Sequence, residues 1–368
     1  MKNTFGSAIT MTLFGESHGA GVGVVLDGIA PGIRVSDDSI RASLLARRPS
    51  GAYSTSRVEK DEYQILSGVL NQTTTGAPLT LWIPNTEARP EDYTAIKDIP
   101  RPSHSDYTAS VKYHGYEDKR GGGHFSGRLT APIVAVGAIL EDALRESFGI
   151  EIGAHIFSLG DIRDERMLGT REEISHLKNA PFPTLCSACA QKMEERMREI
   201  AADGDSIGGI VEGAVIGIPA GVGEPFFDSV ESILCHLLFS IGGVKGVEFG
   251  DGFAMASRLG SEANDPFAIA DGRIVTTKNA SGGIQGGITN GMPILVRTAI
   301  KPTPSIHKTQ KSVDLGSMKE VALTVEGRHD GTIVHRALPV SRAMLAFGVA
   351  DLLTVRYGTD ALAKRTGV

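Results

Sequence analysis

Val22-Gly-Val-Val-Leu-Asp-Gly-Ile-Ala-Pro-Gly32 runs into Ser36-Asp37-Asp38, and Val211-Glu-Gly-Ala-Val-Ile-Gly-Ile-Pro-Ala-Gly221 runs into Asp228. Each is an apolar, β-like segment closed by a Pro/Gly turn and followed by an acidic helix start. Downstream, Thr75-Gly-Ala-Pro-Leu-Thr-Leu81 is echoed by Asn290-Gly-Met-Pro-Ile-Leu-Val296. A basic proline segment follows each copy: Arg101-Pro102-Ser103-His104 in the first and Lys301-Pro302-Thr303-Pro304-Ser305 in the second. Strand, turn, helix and strand written twice predict an internal duplication, about 8–150 and 205–355, with the halves packed across one core. The competing reading is chance recurrence of Gly/Pro turns. Residues 161–205, more charged and less regular, read as a peripheral excursion, so 1–368 is expected to be one domain.

Working outward, Ser36-Asp37-Asp38 opens a helix carrying Ile40, Leu44 and Leu45 toward Arg47-Arg48, with Pro49 stopping it. A second helix is expected over 132–148 with Gly149 as its C-cap, a third capped by Asp228, and a fourth over 341–357 ended by Gly358. A further amphipathic helix, mostly solvated, is expected over 191–202. Strands are expected at 22–26, 79–83, 210–218, 294–299 and 321–325. The alternation gives an α/β (α+β) class.

The 368 residues are 41% hydrophobic and 22% charged, enough to pack a sizeable core and too apolar for wholesale disorder. Forty-three acids against 37 bases give −6, which disfavours a nucleic-acid binder coated in positive charge. Glycine, 45 residues or about 12% against about 7% on average, implies many tight turns and close backbone approaches. No stretch reads as long and apolar enough to span a bilayer, and no signal peptide is evident, so a cytoplasmic location is expected. Cys186, Cys189 and Cys235 make a poor disulfide framework. Cys186-Ser-Ala-Cys189 has C-x-x-C spacing, but no second Cys/His pair follows; it reads as two thiols in a loop, against a zinc or redox alternative, and no metal is expected.

The remaining signal lies in loops that combine glycine or proline, a hydroxyl, a histidine and a cation. Gly15-Glu16-Ser17-His18-Gly19 sets a hydroxyl beside an imidazole. Arg47-Arg48 ends a helix where the dipole favours cations. His104 has Asp106 two residues on as a possible orienter. Gly121-Gly-Gly-His124-Phe125-Ser126-Gly127-Arg128 approaches a helix N-terminus, an arrangement suited to an anion. Gly327-Arg328-His329-Asp330-Gly331 combines guanidinium, imidazole and carboxylate. Taken singly, each reads as a tight turn, a solvated base or a structural ion pair. Their recurrence in an acidic chain implies a local positive pocket for polyanionic ligands. Guanidiniums there would pair with carboxylate or phosphate, and histidines would move protons near neutral pH.

In this order the motifs resemble the chorismate synthase family over nearly the whole chain. They are L-F-G-E-S-H-G at 13–19, R-R-P at 47–49, R-P-S-H-S-D-Y-T at 101–108, D-K-R-G-G-G at 118–123 and G-D-S-I-G at 204–208. V-K-G-V-E-F-G-D-G-F at 244–253, A-S-G-G-I-Q-G-G-I at 280–288, K-P-T-P-S-I at 301–306 and G-R-H-D at 327–330 complete them. The resemblance implies a lyase that eliminates phosphate, in a 1,4-anti sense, from 5-enolpyruvylshikimate 3-phosphate to give chorismate. It implies reduced FMN as cofactor, NADPH only indirectly through flavin reduction, an external flavin reductase, and a homotetramer acting without nucleic acid or membrane. The fold it implies is a duplicated β-α-β sandwich with helices packed between the sheets.

Residue by residue, the resemblance makes His18 the proton donor or hydrogen-bond partner of the departing phosphate, with Ser17 beside it. His104 would lie against the flavin pyrimidine edge and Asp330 in the proton exit near flavin N5. Arg47, Arg128 and Arg328 would grip substrate anions, Arg47 also serving NADPH. Flavin contacts would come from His124, Phe125, Ser126, Gly242, Gly243, Gly286, Lys301, Pro302, Thr303, Pro304, Ser305 and Arg328. The chain departs from the family at His124 and Gly127, at Ser50-Gly51-Ala52-Tyr53, at Gly242-Gly243 and at Gly331-Thr332, which bears on ligand affinity more than on reaction type.

Overall fold

A computed structural model describes residues 2–48, 61–86, 98–164, 166–325 and 330–363. Pro49, Ser50–Tyr53 and Arg328, all named above, lie outside the described residues.

Two five-stranded antiparallel sheets sandwich a layer of helices. In the first sheet the order is Thr4–Phe5, Thr10–Gly15, Gly21–Asp27, Leu79–Pro84, Gln64–Ser67. In the second it is Ile162–Arg163, Glu151–Leu159, Gly209–Ile216, Ile294–Ile300, Val244–Phe249. Followed along the chain, each half runs strand, strand, helix, strand, strand, helix, and the corresponding strands take corresponding places in their sheets. Alternation drives the packing: Val22, Val24 and Leu26, like Leu79, Leu81 and Ile83, are fully buried on the face turned to the helices. Helix Thr130–Phe148 packs on the first sheet, helix Val334–Tyr357 on the second, and the two helices on each other. Helices Asp37–Arg47 and Val230–Phe239 complete the layer.

The opposite faces of the two central strands differ. The register sets Phe14, Gly23 and Trp82 side by side across the first sheet. The two rings stack over Gly23 with centroids 6.0 Å apart, and a Cβ at 23 would stand 2.3 Å from Phe14. At the matching place in the second sheet, the register sets His155, Glu212, Arg297 and Glu248 in a row. Residues 161–205 close over that row. Its apolar side chains Leu168, Ile174, Leu177 and Leu185 form a small core of their own with Ala214 and Leu295.

Several expected boundaries move. Ser36 caps the first helix through Ser39 N and Gly149 ends the second in the left-handed conformation at φ +67°, as read. The third helix is capped by Ser229, not Asp228, because the Ser229 hydroxyl takes the Ser232 N–H at 3.1 Å. The fourth begins at Val334 rather than 341 and contains Pro339, which removes one helical hydrogen bond but stays within the buried stretch. The helix expected over 191–202 starts at Ser187, so Cys186 is its N-cap and the C-x-x-C pair sits on a helix start, not in a loop. The strand expected at 321–325 is Lys319–Leu323, and Thr10–Gly15 and Glu151–Leu159 are additional. Contrary to the hydropathy reading, helix Val334–Tyr357 is long and apolar enough to cross a membrane, with mean hydropathy 1.5. Because 89% of that stretch is buried in the protein, it is a core helix.

Asp351 on this last helix closes the layer: its carboxylate accepts the N–H groups of Ser7, Ala8 and Ile9 at 2.9, 2.7 and 2.8 Å.

Candidate active site

The hairpin Thr10–Gly15/Gly21–Asp27 turns at 16–20, so Ser17 and His18 sit on its tip. Both are buried, with Ser17 Oγ 3.0 Å from His18 Nδ1. The triple-glycine run lies against this tip: Ser17 N donates to Gly123 O at 3.1 Å. Gly121 takes φ +66°, where a Cβ would stand 2.4 Å from His18 Cε1. Only glycine lets the backbone lie this close over the imidazole. Within the run the N–H groups of Gly123, Phe125 and Ser126 are taken by Arg120 O, Gly122 O and Gly123 O in local turns. The run continues through two 3-10 turns, Gly123–Phe125 and Gly127–Leu129, into a helix whose first turn buries Ala131 and the N–H-less Pro132.

His104 is oriented by its neighbours. Its Nδ1 lies 2.6 Å from Asp106 Oδ1, and Arg101 donates to both Asp106 oxygens at 2.8 Å and to Gly121 O at 2.9 Å. Burial pushes the Asp106 carboxyl up, but the hydrogen bonds from Arg101 and His104 outweigh it and hold the group well below the usual carboxylate range. The anionic Asp106 therefore accepts a hydrogen bond from His104 Nδ1–H, leaving Nε2 for chemistry. His124 is fixed similarly: Nδ1 lies 2.8 Å from the Gly15 carbonyl, which only accepts, so Nδ1 carries the proton.

Arg47 and Arg128, expected as anion grips, converge on Asp61, a residue the sequence reading missed. Arg47 Nη2 donates to Asp61 Oδ2 at 2.8 Å and Arg128 Nη1 to Oδ1, and all three side chains are nearly inaccessible. Arg128 also donates to Asn85 Oδ1, whose amide in turn holds the carbonyls of Glu16 and Gly19. The arginine cluster and the His18 tip are thus one connected structure.

Beside it opens a cavity of about 750 Å³. It brings together His104, His124, Phe125, Ser126, Gly242, Gly243, Lys301, Pro302, Thr303, Pro304 and Asp330 from segments far apart in the chain. Four cations line it, Lys2, Lys245, Lys301 and Arg336, and among its described lining residues Asp330 is the one acid. Lys301 is pushed below the ordinary lysine value, by burial first and by Lys245 second. Lys301 also donates to Ser103 O, and Thr303 Oγ1 to Asp330 O at 2.8 Å, tying the lining segments to one another. Phe5 stacks on His236 at 4.1 Å in the wall.

Ser17, His18, Arg47 and Arg128 are not among the lining residues but stand behind them. Ser305 follows the last lining residue of its segment. Gly286 sits in the small hairpin Ile284–Gln285/Ile288–Thr289, outside the lining. Arg336 was also missed. Its Nη1 donates to Asp330 Oδ2 at 2.6 Å and its Nε to Arg47 O at 3.2 Å, linking the cavity to the arginine cluster. A basic residue early in an otherwise apolar helix was the available signal.

Comparison with known proteins agrees over the full length. The family model described as chorismate synthase matches residues 9–354. The chain is 47% identical over 351 residues to the chorismate synthase of Pyrococcus abyssi, covering 95% of this chain and 97% of that one. It is 44% identical over 354 residues to that of Opitutus terrae, covering 95% and 96%. A solved chain described as the crystal structure of chorismate synthase superposes with a TM-score of 0.75 at 29% identity, covering 97% of this chain and 96% of that one.

Proposed function

Because the chain belongs to the chorismate synthase family, we propose that its central cavity binds reduced FMN beside 5-enolpyruvylshikimate 3-phosphate. The activity is that of chorismate synthase, a lyase of the shikimate pathway. The observation that carries the site assignment is the cavity itself, where His104, Asp330 and four cations share one hollow in a chain of net charge −6.

The residues present fit such a pair of ligands. The volume lies within the range of about 300–1,000 Å³ typical of small-molecule sites. Met11, Leu13, Leu129, Ile133 and Met344 supply apolar wall for a ring system, and Gly242 leaves its surroundings open. Lys245, Lys301 and Arg336 supply charge for phosphate and carboxylate. His124, Phe125, Ser126, Gly242–Gly243 and Lys301–Pro304 would hold the flavin. Reduced flavin, when bound, supplies electron density as phosphate departs, with no net redox change.

The protein's own groups handle the protons and anions. Ser17 holds His18 at Nδ1, so proton delivery to the departing phosphate falls to Nε2. His104, locked by Asp106, would offer Nε2 as a hydrogen-bonding group to the flavin. Arg336 holds Asp330, which takes up the substrate proton that leaves. Arg47 and Arg128, spaced by Asp61, set positive potential behind the substrate, with Arg328 as a further grip. Gly286 and Ser305 would contact flavin only where loops or subunits meet. We place the enzyme in the cytoplasm as a homotetramer, served by a separate flavin reductase that draws on NADPH. Exposed Phe253, Phe267, Ile269 and Ile274, grouped in the second half, favour assembly.

Anaerobic assay with chemically reduced FMN and the enolpyruvyl substrate, followed by chorismate absorbance, tests the proposal; absence of product overturns it. His18→Ala is expected to lower turnover about 100- to 10,000-fold with flavin binding retained.

A further inference from the structure

Cys186 and Cys189 lie outside the cavity and have no part in the reaction above. Cys186 is the N-cap of the 16-residue helix Ser187–Ala202, and its sulfur accepts the Cys189 N–H at 3.3 Å. The two sulfurs stand 2.8 Å apart with both thiols free. The two sulfurs therefore already face one another in contact, the arrangement that pairing requires. Asp164, buried beneath, fixes the approach by accepting the N–H groups of Leu185 and Cys186 at 2.7 and 2.9 Å. Both cysteines are partly exposed, and an open groove of about 850 Å³ lined by Thr184, Leu185, Ser187 and Ala190 among others lies next to this helix start.

We propose that Cys186–Cys189 is a thiol–disulfide exchange site, with Cys186 the attacking sulfur and Cys189 the resolving one, whose reactant is a small-molecule disulfide. The two thiols are unequal. The Cys189 thiol donates to the Cys186 sulfur, and this bond with the Cys189 backbone N–H lowers Cys186 below an ordinary thiol, while Cys189 is pushed up to about 11. A helix N-terminus favours the same thiolate. Cys235, by contrast, is half-buried and raised by burial and then by Glu231.

The step balances as ordinary exchange. The Cys186 thiolate attacks one sulfur of R–S–S–R, forming the Cys186–S–R bond and releasing R–S⁻. Cys189 loses its proton to solvent and attacks Cys186 Sγ, forming the Cys186–Cys189 disulfide, breaking the bond between Cys186 Sγ and the sulfur of S–R and releasing the second R–S⁻. Two protein thiols are oxidised and one external disulfide is reduced to two thiols.

The test uses the full-length protein, reduced and desalted, then incubated with oxidised glutathione, quenched with an alkylating agent and read by intact mass and peptide mapping. Wild type is expected to fall from three alkylatable thiols to one, with Cys186 and Cys189 linked and the link reversed by dithiothreitol. Cys189→Ser is expected to accumulate a single glutathione on Cys186, and Cys186→Ser to react about tenfold or more slowly. Three thiols persisting in wild type, an adduct on Cys235 instead, or equal rates for Cys186→Ser and wild type would each overturn the proposal.

Discussion

The row Phe14–Gly23–Trp82 and the row His155–Glu212–Arg297 occupy matching places on the two sheets, and they solve the same packing problem with opposite chemistry. On the first sheet a missing side chain makes room for two stacked rings, which tolerate partial solvent contact. On the second a carboxylate with 0% exposure must be matched on every side. It accepts from His155 Nε2 at 3.1 Å, Leu168 N at 2.8 Å and Arg297 Nε at 2.8 Å. One of those donors, Leu168 N, belongs to the excursion 161–205. The peripheral segment is therefore part of what makes a buried charge tolerable, whereas the aromatic row needs no such cover.

Breaking the ionic row should cost the most. Glu212→Ala leaves a histidine and an arginine without their shared partner and is expected to lower stability by about 3–5 kcal/mol, measured by urea unfolding. Acidification probes the same half. His335, at the start of the core helix, is pushed down to about 4 by burial, so the unfolded chain binds a proton that the folded one refuses between about pH 6.5 and pH 4. Stability is then complete above pH 6.5 and falls as pH drops, by up to about 3 kcal/mol at the lower end. Glu212, held below its ordinary value by His155 and its other donors against the opposing effect of burial, adds a further loss below pH 4.5. Thermal melts across this window should show the decline, and His335→Gln should remove its upper part. The aromatic row gives the smallest effect: Gly23→Ala drives a methyl into Phe14 and the Leu81 carbonyl and is expected to cost about 1–3 kcal/mol without altering the pH profile. A steeper acid-dependent loss in that variant than in the wild type would show that the two rows are not energetically separate.

Much of the sandwich was legible because its punctuation is local. The Ser36 cap, the left-handed Gly149 and the paired strand–turn–helix segments act within a few residues. Where local rules conflicted with tertiary context, tertiary context prevailed. The last helix is expected from 341, but burial carries it from Val334 through Pro339. Glu151–Leu159 lacks alternation because both of its faces are covered, one by the core helix and one by the excursion. The site divided the same way. His18 and Asp330 stand out as residue types beside glycines and His104 in a basic proline segment, so a sequence motif finds them. Asp61 gathers Arg47 from 14 positions away and Arg128 from 67, a convergence that no spacing encodes. The C-x-x-C pair was visible as letters, but its placement on a helix start depended on where Ser187–Ala202 begins.

The carboxylate of Asp351 has a consequence for the order in which the molecule can be made. It grips Ser7, Ala8 and Ile9 across more than 340 positions, and Lys2 to Phe5, just upstream, form part of the cavity wall. During translation the opening residues can pair with the next strand, but the turn at 7–9 must wait for its acceptor until the last helix has left the ribosome. The ligand chamber is consequently the final compartment to be sealed, and a nascent chain stalled short of that aspartate would present an open trough rather than a binding site.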